Sequence, residues 1–371
     1  MTHPVLTPWS AGSIAGRARR LTELVTTPLL PADYLDLFSP LRAGADLRGR
    51  ILQVRSETRD SVTLVIRPGR GWRGHRPGQY VRIGVEVDGV RNWRAYSLTS
   101  PTRQTSARDG NISISITVTA IPGGKVSQHL VRHATPGTMI MLDQAAGDFT
   151  LPPDPPARVL FLTAGSGITP VMGMLRNAID SLDDVVALHS APSAPEVIFG
   201  AELRALAARG AIRLIERHTD TGGRVTMDDL AALVPDWAQR QTWACGPAGL
   251  LDAAEEHWGA KDVADQLHTE RFRPTVLATG EGGTVTFARS RVSLESGGAT
   301  PLLDAGEEAG VLMPSGCRMG ICFGCVVPLR EGAVRDLRNG EITSAEPDHA
   351  QGPVLIQTCV SAAAGACALD L

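Results

Sequence analysis

The stretch Val159-Leu160-Phe161-Leu162-Thr163-Ala164-Gly165-Ser166-Gly167-Ile168-Thr169-Pro170 decides the fold of the middle of this chain. Its first five residues read as a buried strand, and Val171 to Ser181 reads as a helix. Between them Gly165 and Gly167 let the backbone approach a pyrophosphate, whose charge the following helix N-terminus favours. Pro170 stands where a standard dinucleotide fingerprint has its third glycine, and a tight strand–helix turn without ligand is the competing reading. Outward from this turn, strand and helix patterns alternate: Val185 to His189, Ala201 to Arg209, Ile212 to Glu216, Leu230 to Leu233, Thr242 to Cys245 and Leu250 to Trp258. That alternation predicts a parallel sheet with helices on both faces. Cys245-Gly246-Pro247-Ala248 closes one of its strands, at the carboxyl end where such sheets bind ligands.

Upstream the period changes. Gly49 to Val54, Ser61 to Ile66, Gln79 to Val85 and above all Asn111 to Ala120 alternate in the manner of strands. Pro68-Gly69, Pro77-Gly78 and Asp88-Gly89 separate them, which predicts an antiparallel barrel or sandwich. The proline cluster Pro152-Pro153-Asp154-Pro155-Pro156 reads as a stiff linker. Downstream, a connector over residues 271–282 leads to a block with strands at Thr284 to Ala288 and Arg291 to Glu295, a helix at Leu302 to Glu308, and a cysteine-rich loop. The expected division is an extension (1–45), a barrel (46–153), an α/β domain (154–270), the linker (271–282) and an α+β domain (283–371). In the extension, Ile14 to Val25 suits a short helix ended by Pro28 and Pro31. Its Arg17, Arg19 and Arg20 read as a solvated face, ahead of a basic patch for an acidic partner.

Cys317-Arg318-Met319-Gly320-Ile321-Cys322-Phe323-Gly324-Cys325 spells C-x4-C-x2-C, and Cys359 follows 34 positions later. Four thiolates at this spacing suit a 2Fe–2S cluster, and Gly316, Gly320 and Gly324 let the chain wrap tightly round one. Structural zinc, the competing reading, favours paired C-x2-C knuckles that this chain lacks. Cys317, Cys322, Cys325 and Cys359 are therefore the expected metal ligands, and Cys367 an ordinary buried thiol.

Composition limits the remaining choices. With 371 residues, 36 basic against 39 acidic side chains and a net charge of −3, the chain is no polycation built to grip nucleic acid. Only Lys125 and Lys261 are lysines, so the arginine content reflects coding bias and a single Arg says little about phosphate. No run of 18 apolar residues indicates a membrane span. Met1-Thr2-His3-Pro4 opens without a charged head and apolar core, and six cysteines are too few for a disulfide scaffold, so a cytoplasmic location is expected.

Two further motifs lie in the barrel region. Arg94-Ala95-Tyr96-Ser97 reads as following a strand, and a buried tyrosine beside a snorkelling arginine is its plain alternative. Gly123-Gly124-Lys125-Val126-Ser127-Gln128-His129-Leu130 opens a helix whose free N–H groups, with Ser127, suit a diphosphate.

Taken in order, R-x-Y-S, G-x-G-x-x-P, C-G-P and the ferredoxin-like cysteines resemble the ferredoxin–NADP reductase superfamily, specifically flavin reductases fused to a C-terminal plant-type ferredoxin. Residues 46–371 carry the resemblance; Gly283 to Leu371 resembles a plant-type ferredoxin throughout, with a β-grasp fold expected. The resemblance implies FAD, a 2Fe–2S cluster and a nicotinamide substrate. It implies that Arg94 pairs with a flavin phosphate, Tyr96 packs on the isoalloxazine and Ser97 hydrogen-bonds the nitrogen that accepts hydride. Gly124, Val126 and Ser127 would hold the diphosphate of FAD. Gly165, Ser166, Gly167, Thr169, Pro170, Cys245, Gly246 and Pro247 would frame the nicotinamide nucleotide, with Thr169 and Cys245 beside its ring. Phe272 would cover the flavin face opposite Tyr96 until nicotinamide displaces it, or Arg271 and Phe272 simply start the linker.

The second strand of the α/β region ends His189-Ser190 without a carboxylate for a ribose 2′-hydroxyl. Ser190, Arg217 and Arg224 suit a 2′-phosphate instead, which favours NADPH. The expected reaction takes a hydride from NAD(P)H and passes single electrons through the cluster to a separate oxygenase, hydroxylase or fatty acyl desaturase. Pro28-Leu29-Leu30-Pro31 and Tyr34 resemble the extension of actinobacterial reductases that supply acyl-lipid desaturases. Such a partner permits peripheral membrane contact. A redox-sensing flavin/iron–sulfur protein and a stand-alone diaphorase are the alternatives.

Overall fold

A computed structural model describes residues 38–42, 44–87, 89–102, 112–272, 278–320, 323–346 and 353–371. The Ile14 to Val25 helix and Cys322 lie outside the described residues.

Strands β1 (Arg48–Thr58), β2 (Ser61–Pro68), β3 (Tyr80–Val87), β4 (Val90–Ser97), β5 (Ile114–Thr119) and β6 (Met139–Leu142) form one antiparallel sheet in the order β4-β3-β6-β1-β2-β5. A bridge between Leu98 and Ile116 closes it into a barrel. Leu64, Ile66, Val81, Ile83, Ile114 and Ile116 fill the interior with no exposed area. The alternation in β5 predicts one wet face. Both faces are covered instead: Ser115 and Thr117 are buried, bonded to Thr99 (2.8 Å) and Thr63 (2.7 Å). Hydroxyl pairs satisfy one another there in place of water. Helix α1 (Lys125–His133) sits between β5 and β6 in the chain. Arg94 to Ser97 do not follow a strand; they are the last half of β4, paired with Tyr80 to Ile83. Polar and aromatic residues mask the strand's alternation.

Strands β7 (Arg158–Ala164), β8 (Asp184–Ala191), β9 (Arg213–His218), β10 (Gln241–Cys245) and β11 (Leu267–Glu270) form a parallel sheet in the order β11-β10-β7-β8-β9. After β9 the chain crosses back to the other side of β7, so the order reverses between β7 and β10. Ligand crevices open at such a point. Helices α2 (Ile168–Ala178), α3 (Gly200–Ala208), α4 (Thr219–Gly222), α5 (Met227–Leu233) and α6 (Ala248–Ala260) connect the strands, and separate apolar clusters line the two faces of the sheet.

The last sheet is mixed. Strands β12 (Gly283–Phe287), β13 (Val292–Ser296), β14 (Val326–Asp336), β15 (Ile342–Ala345) and β17 (Ser361–Leu369) run β13-β12-β17-β14-β15, with β16 (Val354–Gln357) on β14. Helix α7 (Leu302–Glu308) buries Leu302 and Leu303 against it. The end of the connector from Ala278 is bonded to this domain: Ala278 N–H donates to Leu337 O and Gly280 N–H to Gly298 O.

Candidate functional site

At the end of β4, Ser97 is buried and its Oγ is enclosed without a hydrogen-bond partner among the described residues. A buried hydroxyl left unpaired is costly, so it points to a missing acceptor or donor. One residue back, the Tyr96 phenol is pushed up by burial. Burial also lowers the pKa of the Arg94 guanidinium, as does Arg318, while Glu307 and Asp304 oppose the shift. Those three residues belong to the cysteine-bearing domain, so its ligand loop stands near Arg94. Arg318 itself forks to Asp304 (2.7 Å) and Glu307.

Gly124 caps α1, and a Cβ there would meet Ser127 Oγ at 2.4 Å and Ile121 Cγ1 at 2.5 Å. Ser127 donates to Gly124 O (3.2 Å) and accepts from Ile121 N–H (3.3 Å). These two bonds brace the turn, beside the first-turn N–H groups, Val126 included, that are left as donors.

The nucleotide turn interlocks with the later C-G-P loop. A Cβ on Gly167 would lie 2.0 Å from Cys245 O, so no side chain fits. Gly165 takes a left-handed φ of 55°. Thr169 Oγ1 donates to Ser166 O (2.9 Å), and Pro170 falls in the first turn of α2, where no N–H bond is lost. Gly246 and Pro247 lead from β10 into α6, for which Pro247 is the N-cap.

Cys245 is buried beside Glu270, its register partner on β11. Burial and the Glu270 charge push the thiol well up, and burial pushes the Glu270 carboxyl up to about 8. Glu270 Oε2 is enclosed without a partner. Sequence reading met Glu270 only within Glu270-Arg271-Phe272 and gave its carboxyl no role; its burial comes from the pairing of β11 with β10. Because the folded pKa is about 8 against 4.5 unfolded, the folded state keeps a proton that the unfolded chain releases between those values. That stability is complete below pH 4.5 and is lost as pH rises towards 8. A Glu270→Gln protein should therefore lose less Tm than the parent between pH 5 and 8.5; parallel Tm profiles would contradict the enclosure. Next in the chain, Arg271 pairs with Asp252 (2.7 Å) and Glu255 (2.8 Å) of α6, and Phe272 is 37% exposed.

Ser190 and Arg217 are register partners at the ends of β8 and β9. Arg217 reaches Gly223 O (3.3 Å) and Asp229 (3.5 Å), and Arg224 is exposed close by in sequence.

In the last domain Cys317, Cys325 and Cys359 are all buried, and the Cys325 and Cys359 sulfurs are 3.2 Å apart. Thr358 N–H and Oγ1 both donate to Cys325 O, and Met319 N–H donates to Cys317 Sγ (3.3 Å). Gly320 O accepts from Gln357 (3.0 Å) and Arg338 (3.1 Å). Among the described residues no three His, Cys, Asp or Glu side chains close on one point; Cys322 is outside that set. The adjacent Cys325 and Cys359 sulfurs, and the Met319 N–H aimed at Cys317 Sγ, fit an iron–sulfur core, and the enclosed Ser97 hydroxyl with the glycine-lined turns fits a flavin and a nucleotide.

Residues 63–151 match the oxidoreductase FAD-binding domain family and residues 285–364 the 2Fe-2S iron-sulfur cluster binding domain family. An NADPH oxidoreductase of Mycobacterium tuberculosis is 52% identical over 359 residues, covering 95% of this chain and 92% of its own. The chain belongs to the ferredoxin–NADP reductase superfamily, as an oxidoreductase with a fused 2Fe–2S domain. Another member, the glycine betaine monooxygenase reductase subunit of Pseudomonas aeruginosa, is 30% identical over 80% of this chain and 87% of its own. The solved phthalate dioxygenase reductase shares the fold, with a TM-score of 0.58 at 22% identity over 87% of this chain and 97% of that one. Among the described residues no helix is long and apolar enough to cross a membrane.

Proposed function

We propose that this reductase takes hydride from NADPH at the crevice between β4 and the β7–β10 strand ends, and delivers single electrons to a separate oxygenase, hydroxylase or acyl desaturase. When bound, FAD supplies a two-electron acceptor that can release electrons singly, and the 2Fe–2S cluster supplies a one-electron carrier. Ser97 presents the hydroxyl that orients the flavin's reacting edge, Tyr96 its ring and Arg94 its guanidinium. Backbone N–H groups at the start of α1 and α2 hold the two diphosphates. Cys245 and Glu270 wall the nicotinamide pocket, and Cys317, Cys322, Cys325 and Cys359 hold the iron. Leu312 and Phe323, both largely exposed and near the ligand cysteines in sequence, offer a partner protein an apolar contact. The oxygenase-reductase relatives support that class of partner. Cysteines kept as thiolates and a nicotinamide substrate suit a cytoplasmic activity.

The reading is carried by the buried Ser97 hydroxyl, without a partner among the described residues, on the strand whose exit packs against the nucleotide helix at Gly173. NADPH is preferred over NADH because Ser190 and Arg217 meet at adjacent strand ends, with Arg224 beyond them. Charge-assisted bonds of this kind contribute about 1.5–3 kcal/mol. Replacing both Arg217 and Arg224 by Ala should therefore raise the KM for NADPH by about tenfold or more and leave that for NADH unchanged. Equal effects on the two nucleotides in steady-state assays would remove the 2′-phosphate assignment.

A further inference from the structure

We infer that Asn177 is a positioning residue for hydride delivery: it ties the segment leaving Ser97 to the helix that begins at the nucleotide turn. The inference rests on the proposed role of Ser97. Asn177 lies in the last turn of α2, and its amide is saturated. Its Oδ1 accepts from Thr102 N–H (2.6 Å) and Thr102 Oγ1 (2.8 Å). Its Nδ2 donates to Ser100 O (3.2 Å) and back to Gly173 O of its own helix (2.7 Å). A side chain with two donors and two acceptor sites has thus used all four, three of them on the segment just past Ser97.

Two neighbours on the same helix reinforce the tie. A Cβ on Gly173 would come 2.3 Å from Leu98 O, so the helix backbone lies directly on the residue after Ser97. Arg176 Nη1 donates to Thr99 O (2.7 Å) while Glu202 of α3 holds the other edge of the guanidinium at 2.9 and 2.6 Å. Phe199 stacks beneath it at 4.7 Å. From the barrel side, Leu98 N–H donates to Gln79 O and Thr99 N–H to Ser115 O, both at 2.8 Å. Leu98 to Thr102 is therefore gripped from both domains and has no slack.

The physical consequence concerns alignment. The first turn of α2 is the nucleotide turn, and its later turns carry the Ser97 exit segment. One rigid helix of 11 residues, roughly 16 Å long, sets where the nucleotide sits relative to the hydroxyl opposite it. Hydride transfer needs donor and acceptor within a near-attack distance, and about 1 Å of misplacement can lower the rate about a hundredfold. A loosened tie should leave both ligands bound but misaligned.

The test uses the full-length, FAD-loaded protein in four forms: parent, Asn177→Ala, Ser97→Ala and the double variant. Stopped-flow reduction by NADPH should be about tenfold slower in Asn177→Ala, with FAD content intact and nucleotide affinity within about twofold. In the Ser97→Ala background the same change should add less than about twofold, because both act through one hydroxyl. Amide hydrogen exchange, which does not depend on turnover, should quicken at Leu98 and Thr102. If Asn177→Ala does not fold, Asn177→Asp, which keeps the acceptors and loses both donations, is read in the same way. Parent-like reduction despite quickened exchange, or additive effects in the double variant, overturns the inference alone. Parent-like reduction in Ser97→Ala overturns the Ser97 role and the inference with it.

Discussion

A Cys359→Ser protein should keep its FAD and still reduce ferricyanide with NADPH, while its iron content drops and its reduction of cytochrome c falls to background. The thiolate is the ligand type an iron–sulfur core requires, and a serine hydroxyl does not replace it at neutral pH. The site gives little room for a substitute. Cys359 is buried, its sulfur meets Cys325, and Thr358 straps the two cysteines together through Cys325 O. Gly320 of the ligand loop cannot move away, because Arg338 and Gln357 hold its carbonyl, and its left-handed φ of 73° suits glycine. The loss should stay local. The flavin-side core is a separate cluster built on β1 to β6, so FAD retention and flavin reduction should survive loss of the iron. Cys367→Ser is the control: this thiol lies on β17 outside the ligand spacing, pushed up to about 11 by burial, and its loss should leave iron in place. Iron and sulfide analysis, EPR of the reduced protein and the two dye assays read the outcome. Full cytochrome c activity in an iron-free Cys359→Ser protein would mean that electrons leave without passing the cysteines.

The parallel sheet was legible because strands buried on both faces read as unbroken apolar runs: Val159 to Thr163 predicts β7, and Val185 to His189 falls within β8. The C-x4-C-x2-C spacing was legible because covalent geometry limits how four sulfurs can meet. What escaped depended on partners far away in sequence. β4 and β11 carry charged and polar residues, and only pairing with β3 and β10 makes them strands. The enclosed Glu270 carboxyl follows from that pairing. β14 to β17 went unread because glycine and alanine in Ser361 to Leu369 give no alternation; their packing comes from β12 and β14.

Removing one oxygen atom should have the second large effect. Ser97→Ala is expected to slow flavin reduction by NADPH by about a hundredfold, the scale found when one aligned donor is removed from a reacting centre. FAD should stay bound, because Arg94, Tyr96 and the α1 N-terminus are untouched. Nor should the fold suffer. Among the described residues the Ser97 Oγ makes no hydrogen bond, so alanine removes an unsatisfied buried group and leaves no described partner stranded. A modest rise in the Tm of the FAD-free protein is the expected sign of that, set against a large fall in rate of the loaded one. The two readouts pull in opposite directions, which a residue kept only for packing does not produce. Stopped-flow absorbance at the flavin band, with calorimetry of the FAD-free protein, measures both. Unchanged reduction would show that the hydroxyl faces something other than the reacting edge of the flavin, and the proposed flavin position at the end of β4 would fall with it.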